Sequence, residues 1–216
     1  MKRNLLFLSV CLLNVSLLGQ TLDLQIGPTF SKLNWRNSMV QGIMFNKNVT
    51  GFNASIGVEY LNFKYFNLHS NVGFIQKGGK DSISVTGSQG EVESKEEFKI
   101  KLNYLTLNTN IEFKLPIIKF ITPYVLIGPR LDYMISYQEK VDFIKQFDEI
   151  NQVNKFIYGF ITGAGINFQI KKIQLGAVFE YYINLNKLVD YNSDKDVRNK
   201  ISDYTYTLNF QIGYKL

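Results

Sequence analysis

From Tyr204 to Leu216 apolar and polar residues alternate without a break. Tyr204, Tyr206, Leu208, Phe210, Ile212, Tyr214 and Leu216 fall on one face; Thr205, Thr207, Asn209, Gln211, Gly213 and Lys215 fall on the other. A period of two belongs to a strand with one apolar face, not to a helix. The pattern recurs and predicts eight strands, at about 22–36, 50–63, 66–78, 98–114, 122–137, 154–170, 173–187 and 203–216. The connections after the second and sixth are tight, Lys64-Tyr65 and Lys171-Lys172, and the one after the fourth (115–121, with Pro116) is short. The others, 37–49, 79–97, 138–153 and 188–202, are long and polar.

The alternation also assigns the faces. Phe52, Ala54, Ile56, Val58 and Tyr60 share one side of the second strand, and Leu105, Leu107, Thr109, Ile111 and Phe113 one side of the fourth. Val125, Ile127, Leu131, Tyr133 and Ile135 mark the fifth, Phe156, Tyr158, Phe160, Ala164, Ile166 and Phe168 the sixth, and Leu175, Ala177, Phe179, Tyr181 and Ile183 the seventh. The third strand is the weakest, with Ser70 among Leu68, Val72 and Phe74. Phe30 and Trp35 have opposite parity, which predicts a bulge between them. The opposite face carries Gly27, Gly57, Gly73, Gly128, Gly159, Gly163, Gly165, Gly176 and Gly213, nine of the sixteen glycines. It also carries Glu59, Glu112, Arg130, Asp132, Glu180 and Lys215.

A sheet that is aromatic on one face and charged or glycine on the other is inside out for a water-soluble barrel, whose interior is apolar. It suits an all-β, eight-stranded antiparallel transmembrane β-barrel, with aromatics toward the strand ends as interfacial girdles. Long loops would lie outside and short turns in the periplasm, so eight strands put both mature termini on the periplasmic side. An eight-stranded lumen is only wide enough for side chains, and glycines there make room for larger neighbours. Buried charges need partners. Glu59, Glu112, Arg130, Asp132 and Glu180 are therefore expected as structural lumen charges, with Arg130 meeting Glu180 across the sixth strand, where Gly163 and Gly165 leave space.

The address agrees with this class. Lys2 and Arg3 precede an apolar core from Leu5 to Leu18, with Gly19 at a plausible cleavage point. Residues 1–20 read as a secretory signal peptide and 21–216 as the mature barrel domain. Loss of Lys2 and Arg3 lowers the formal net charge from +6 to +4. Cys11 is the single cysteine and lies in the leader, so neither a disulfide nor a thiolate metal site is expected. After the leader no stretch is apolar for the eighteen or so residues that a spanning helix needs, so insertion must be by strands. The lysines are scattered and form no stripe for nucleic acid.

Asn103-Tyr-Leu-Thr-Leu-Asn-Thr-Asn-Ile-Glu-Phe-Lys-Leu-Pro116, followed by Thr122-Pro-Tyr-Val-Leu-Ile-Gly-Pro-Arg-Leu-Asp-Tyr-Met-Ile-Ser136, resembles the PorT-like outer-membrane β-barrel family of Bacteroidota. Phe74-Ile-Gln-Lys-Gly-Gly-Lys80 and Gly51-Phe-Asn-Ala-Ser-Ile-Gly-Val-Glu-Tyr60 are similar to two further strands of that family, in the same order. Thr106 and Asn108 stand where the family often has Glu and Pro, and Arg130 and Asp132 where it has small residues. The chain ends Tyr214-Lys215-Leu216 rather than on an aromatic. The resemblance implies fold and location, and only through the family's name a link to protein secretion.

Motifs for chemistry are few. His69 is the only histidine and falls on the inward face, where Glu59 and Glu112 are potential neighbours; the reading is a hydrogen-bonded interior histidine. Asp190-Tyr-Asn-Ser-Asp-Lys-Asp196 spaces oxygens like the start of a calcium loop, but Lys195 and Ile201 occupy the positions that need Gly and Glu. Gly78-Gly79 and Gly87-Ser-Gln-Gly90 read as loop turns, and Glu91–Glu97 as a charged tip or the outer extension of a hairpin. The expectation is a monomeric, non-enzymatic barrel without cofactor or metal. It contacts outer-membrane lipid and presents loops 79–97 and 188–202, or its periplasmic turns, to a protein partner. The alternatives are a narrow pore or a small lipid- or peptide-acting enzyme.

Overall fold

The computed structural model describes residues 20–37, 43–86, 92–115, 120–139, 153–194 and 197–216. Residues 1–19 with Cys11, Gly87 and Gly90, the turn expected at Pro116, and Lys195 and Asp196 lie outside the described residues. Ten strands form one antiparallel sheet: β1 Thr21–Asn37, β2 Ile43–Met44, β3 Val49–Tyr60, β4 Phe66–Thr86, β5 Val92–Lys114, β6 Ile121–Glu139, β7 Phe156–Ile170, β8 Ile173–Asn184, β9 Val189–Asp194 and β10 Val197–Lys215. β1 pairs with both β3 and β10, which closes the sheet into a barrel. The two short strands sit at its far end, β2 on β1 and β9 on β10. Without them eight long staves make the wall.

Pairing fixes the stagger. A path from Asp23 through Gly57, Asn71, Asn108, Arg130, Gly159, Asn184 and Asp203 steps from partner to partner around the wall. It returns to β1 at Leu33, ten residues beyond its start. Closure with such a stagger tilts the strands by about 35–45°. The register of β1 against β3 and β10 runs without a shift, so the bulge expected between Phe30 and Trp35 is absent. The two residues face opposite sides: Phe30 stacks on Tyr206 at 5.2 Å outside, and Trp35 stacks on Phe45 at 6.0 Å inside.

Strands run further than alternation indicated. β4 and β5 pair from Phe66↔Phe113 to Thr86↔Val92, so most of the expected loop 79–97 is hairpin. Gly78 and Gly79 are strand residues and not turns. At Gly78 the chain passes so close to β5 that a Cβ would strike the Ile100 carbonyl, and the Gly78 amide donates to Ser31 Oγ at 2.7 Å. The expected loop 188–202 likewise holds β9 and the start of β10.

The wall changes character along its height. From the tight turns up to Phe52–Phe74 and Tyr133–Phe156, ring pairs at 5.1 and 4.8 Å, the outer face is apolar. Immediately above runs an outer polar ladder: Lys101 Nζ donates to Gln76 Oε1 (2.8 Å), Gln76 Nε2 to Asn103 Oδ1 (3.0 Å), and Asn103 Nδ2 to Ser136 Oγ (2.9 Å). Lys80, Lys99 and Gln138 continue this polar surface, while Leu33, Phe45, Ile100, Leu102, Leu188 and Ile201 are buried within. The lower barrel is thus apolar outside and mostly polar inside, with Tyr124, Leu126, Ile161 and Val178 also packed in its lumen, whereas the upper part is polar outside over an apolar core. A strand needs only about 9–11 residues to span a bilayer core. β4 and β5 have 21 and 23, and the surplus builds a second, conventionally packed storey.

Candidate functional site

The lumen is built from inward positions of all eight staves. At the end with the tight turns, His69 on β4 lies between two carboxylates: Nε2 is 2.7 Å from Asp23 Oδ2 and Nδ1 is 2.8 Å from Glu112 Oε1. A neutral imidazole has one N–H, so an acid on each ring nitrogen suits the imidazolium. Asn67 Nδ2 donates to Glu112 Oε2 at 3.0 Å. Glu59 turns away from His69 to Lys114, whose Nζ donates to Glu59 Oε1 at 3.1 Å. Gly57 is required here because a Cβ would enter the space held by His69, Asn71 and Asp23.

Nearer the upper storey lies a second cluster. Lys77 Nζ donates to Asp132 Oδ2 at 2.7 Å and to Asp203 Oδ2 at 3.2 Å. Arg130 donates to Asp132 and to Asn184, and Asn184 donates to the Asp203 carboxylate. Lys77 also sits over the rings of Tyr104 and Tyr182, each at 5.2 Å, and Arg130 over Tyr182 at 4.8 Å. Two cations thus meet two carboxylates, and Lys77, Arg130 and Asp132 are at most 3% exposed. Burying such groups costs several kcal/mol per ion in general, and close pairing with full hydrogen bonding is what offsets it.

The expected Arg130–Glu180 pair does not form. Pairing sets Arg130 opposite Gly159 and then Asn184, whereas Glu180 lies opposite Gly163 and then Leu126. The two rows are four residues apart, about 13 Å along a strand. Glu180 is held instead by hydrogen bonds from Thr207 Oγ1 (3.1 Å), Asn209 Nδ2 (3.1 Å) and Tyr182 OH (3.4 Å). Lys215, expected inside, is exposed at the rim. Glu59, Glu112, Arg130, Asp132 and Glu180 are all buried in the lumen. Asp23, Lys77, Lys114 and Asp203 are partners that the alternation did not single out.

This arrangement offers little acid–base chemistry. Both nitrogens of His69 are occupied by carboxylates and the ring is 2% exposed, so neither is available to a substrate. Among the described residues no group of three or more His, Cys, Asp or Glu side chains is arranged to hold a metal ion. The calcium-like segment starts within β9, an extended strand that does not wrap an ion, and Asp190 Oδ2 accepts from Lys187 Nζ at 2.6 Å.

A closed antiparallel barrel with an aromatic outer band and a polar, charge-paired lumen is the architecture of an integral outer-membrane protein. The chain belongs to the outer membrane protein beta-barrel domain family, whose model matches residues 18–190. Among solved structures it is similar to the outer membrane protein OprG of Pseudomonas aeruginosa, at 7% identity and a TM-score of 0.53 over 92% of this chain and 97% of that one. It is also similar to Ail, the attachment invasion locus protein of Yersinia pestis, solved with the heparin analogue sucrose octasulfate (16% identity, TM-score 0.40, 92% and 99% covered). A third is the outer membrane protease OmpT of Escherichia coli (7% identity, TM-score 0.42, 93% and 98% covered). No curated protein matches. At these identities the likeness shows the fold alone, and the family places the chain in the outer membrane.

Proposed function

We propose that this protein is a closed, non-enzymatic barrel that carries a rigid head on the cell surface and presents it to a protein partner. The observation that carries the reading is the reversal of polarity along the wall. Above the apolar band the strands continue with a polar exterior over a buried apolar core. A surface that only needed to close the barrel would use short loops. Two storeys of paired strand provide instead a fixed platform, formed by the β4–β5 hairpin and the β9–β10 ribbon.

In this reading residues 1–20 are a cleaved signal, residues 21–216 are the barrel, and both mature termini face the periplasm. The barrel is a monomer and uses no cofactor, metal or nucleic acid. The strand motifs at Phe74–Lys80 and Thr122–Ser136 support a place in the PorT-like branch of Bacteroidota, and through it a role in protein secretion or envelope assembly. The charge-filled lumen favours this reading over a pore.

The test is photo-crosslinking in intact outer membranes from probes at Glu97 and Lys200, followed by mild-detergent purification and mass spectrometry. One stoichiometric adduct is expected. The adduct from the Lys200 probe should vanish when residues 82–97 are replaced by a two-residue turn while the barrel still migrates as a folded band. Recovery of the barrel alone, with no adduct from either probe, would contradict the reading.

A further inference from the structure

At the turn end the charges are sorted by burial. Asp23, Glu59 and Glu112, the acidic side chains described there, are inside the lumen and no more than 4% exposed. Lys64, Lys171, Lys172 and Lys215 are all exposed. The rim at this end therefore carries exposed cations with no acidic side chain beside them among the described residues.

Next to two of these lysines the outer wall is hollowed. Leu22, Leu24, Ile173, Ile212 and Tyr214 line an almost wholly apolar groove of ≈ 380 Å³, with Asp23 and Gly213 also among its walls, the Asp23 side chain being buried on the lumen side. Lys172 Nζ lies 5.6 Å from the ring centroid of Tyr214, so an ammonium is held at the mouth of the groove. The Lys215 amide donates to the Lys172 carbonyl at 2.8 Å, which sets the two residues side by side. Lys171, in the same turn, has φ 56°, a left-handed conformation that glycine or asparagine adopts with less strain. A lysine at that position is conformationally disfavoured, which directs attention to what its side chain does.

An apolar trough with an ammonium at its mouth and two further exposed lysines, Lys171 and Lys215, next to it in the backbone matches one kind of membrane component. We propose that the groove binds one anionic phospholipid. An acyl chain lies along Leu22, Leu24 and Ile212, and the phosphate is held by Lys172 and Lys215 with Lys171 in reach. The site needs only a barrel in a bilayer and does not depend on the head or its partner. The orientation proposed above puts it in the periplasmic leaflet.

The experiment is native mass spectrometry of the full-length barrel in detergent, titrated with phosphatidylglycerol or with phosphatidylcholine of the same acyl chains. Wild type is expected to retain one phosphatidylglycerol with a preference of about tenfold or more, since each lysine near an anionic surface contributes about a factor of five. K172S/K215S should lose the preference, K172R/K215R should keep it, and L24W, which fills the groove, should weaken both lipids. K99S/K101S, on the outer face of the upper storey, should change nothing. Equal retention of the two lipids by wild type would overturn the proposal. So would a preference that survives in K172S/K215S, with folding checked by heat-modifiable mobility.

Discussion

Asp132 accepts from both Lys77 and Arg130 inside the lumen. Replacing it with alanine leaves two buried cations sharing the single carboxylate of Asp203, and loss of one partner from a buried pair costs about 3–5 kcal/mol. Asp132→Ala should therefore lower the unfolding free energy read from urea titration of the folded barrel in vesicles by that amount, and an unchanged value would show that the cluster is not coupled. Lys171 predicts the opposite sign. With φ 56°, Lys171→Gly removes a left-handed side chain and should gain up to about 1 kcal/mol in the same assay. Parity put Glu59, Glu112, Arg130, Asp132, Glu180 and Lys215 on one face; the first five are buried and Lys215 is exposed at the rim. Which of them meet was not legible. Parity gives a side chain's face but not its height, and height depends on eight pairing registers that no local pattern encodes. Arg130 consequently finds Asn184 rather than Glu180.

At the scale of elements the lower strands follow the alternation closely, because one rule, apolar outward, holds along them. The rule reverses above Phe74 and Leu105. Ile75, Ile100 and Leu102 now point inward and are buried, and Lys99 and Lys101 point outward. A search for a continuous apolar face stops there, which is why 79–97 reads as a loop in the sequence and is mostly strand in the fold. Trp35 misleads for the same reason, as an inward aromatic of the upper storey. The two storeys should respond differently to truncation. Ile100→Ala opens a cavity in a packed core and should cost about 2–5 kcal/mol. Leu107→Ala, on the outer apolar band, exchanges contact with lipid for contact with lipid and should cost far less, because hydrocarbon is as apolar as leucine. Equal losses at the two positions, read from urea midpoints in vesicles, would argue against a buried upper core.

For the whole molecule, the lumen holds two buried clusters of paired charges beside packed polar and apolar side chains. An eight-stranded lumen is only wide enough for side chains to fill. Purified protein in planar bilayers should give no stable conductance steps, and reproducible steps would return the pore to consideration. In the proposed reading the bilayer ends at the Phe74–Leu105 level and the strands above it stand in water. The most direct measurement is cysteine accessibility along the outer face of β5. Cys11, the chain's single cysteine, is replaced by serine, and one cysteine is introduced in turn at Leu107, Leu105, Lys101 and Lys99 of the barrel in intact cells. A membrane-impermeant maleimide should label Lys101→Cys and Lys99→Cys rapidly and leave Leu105→Cys and Leu107→Cys unmodified, with a sharp boundary between residues 101 and 105. Protection that extends through Lys99, or labelling that reaches Leu107, would contradict the two-storey account.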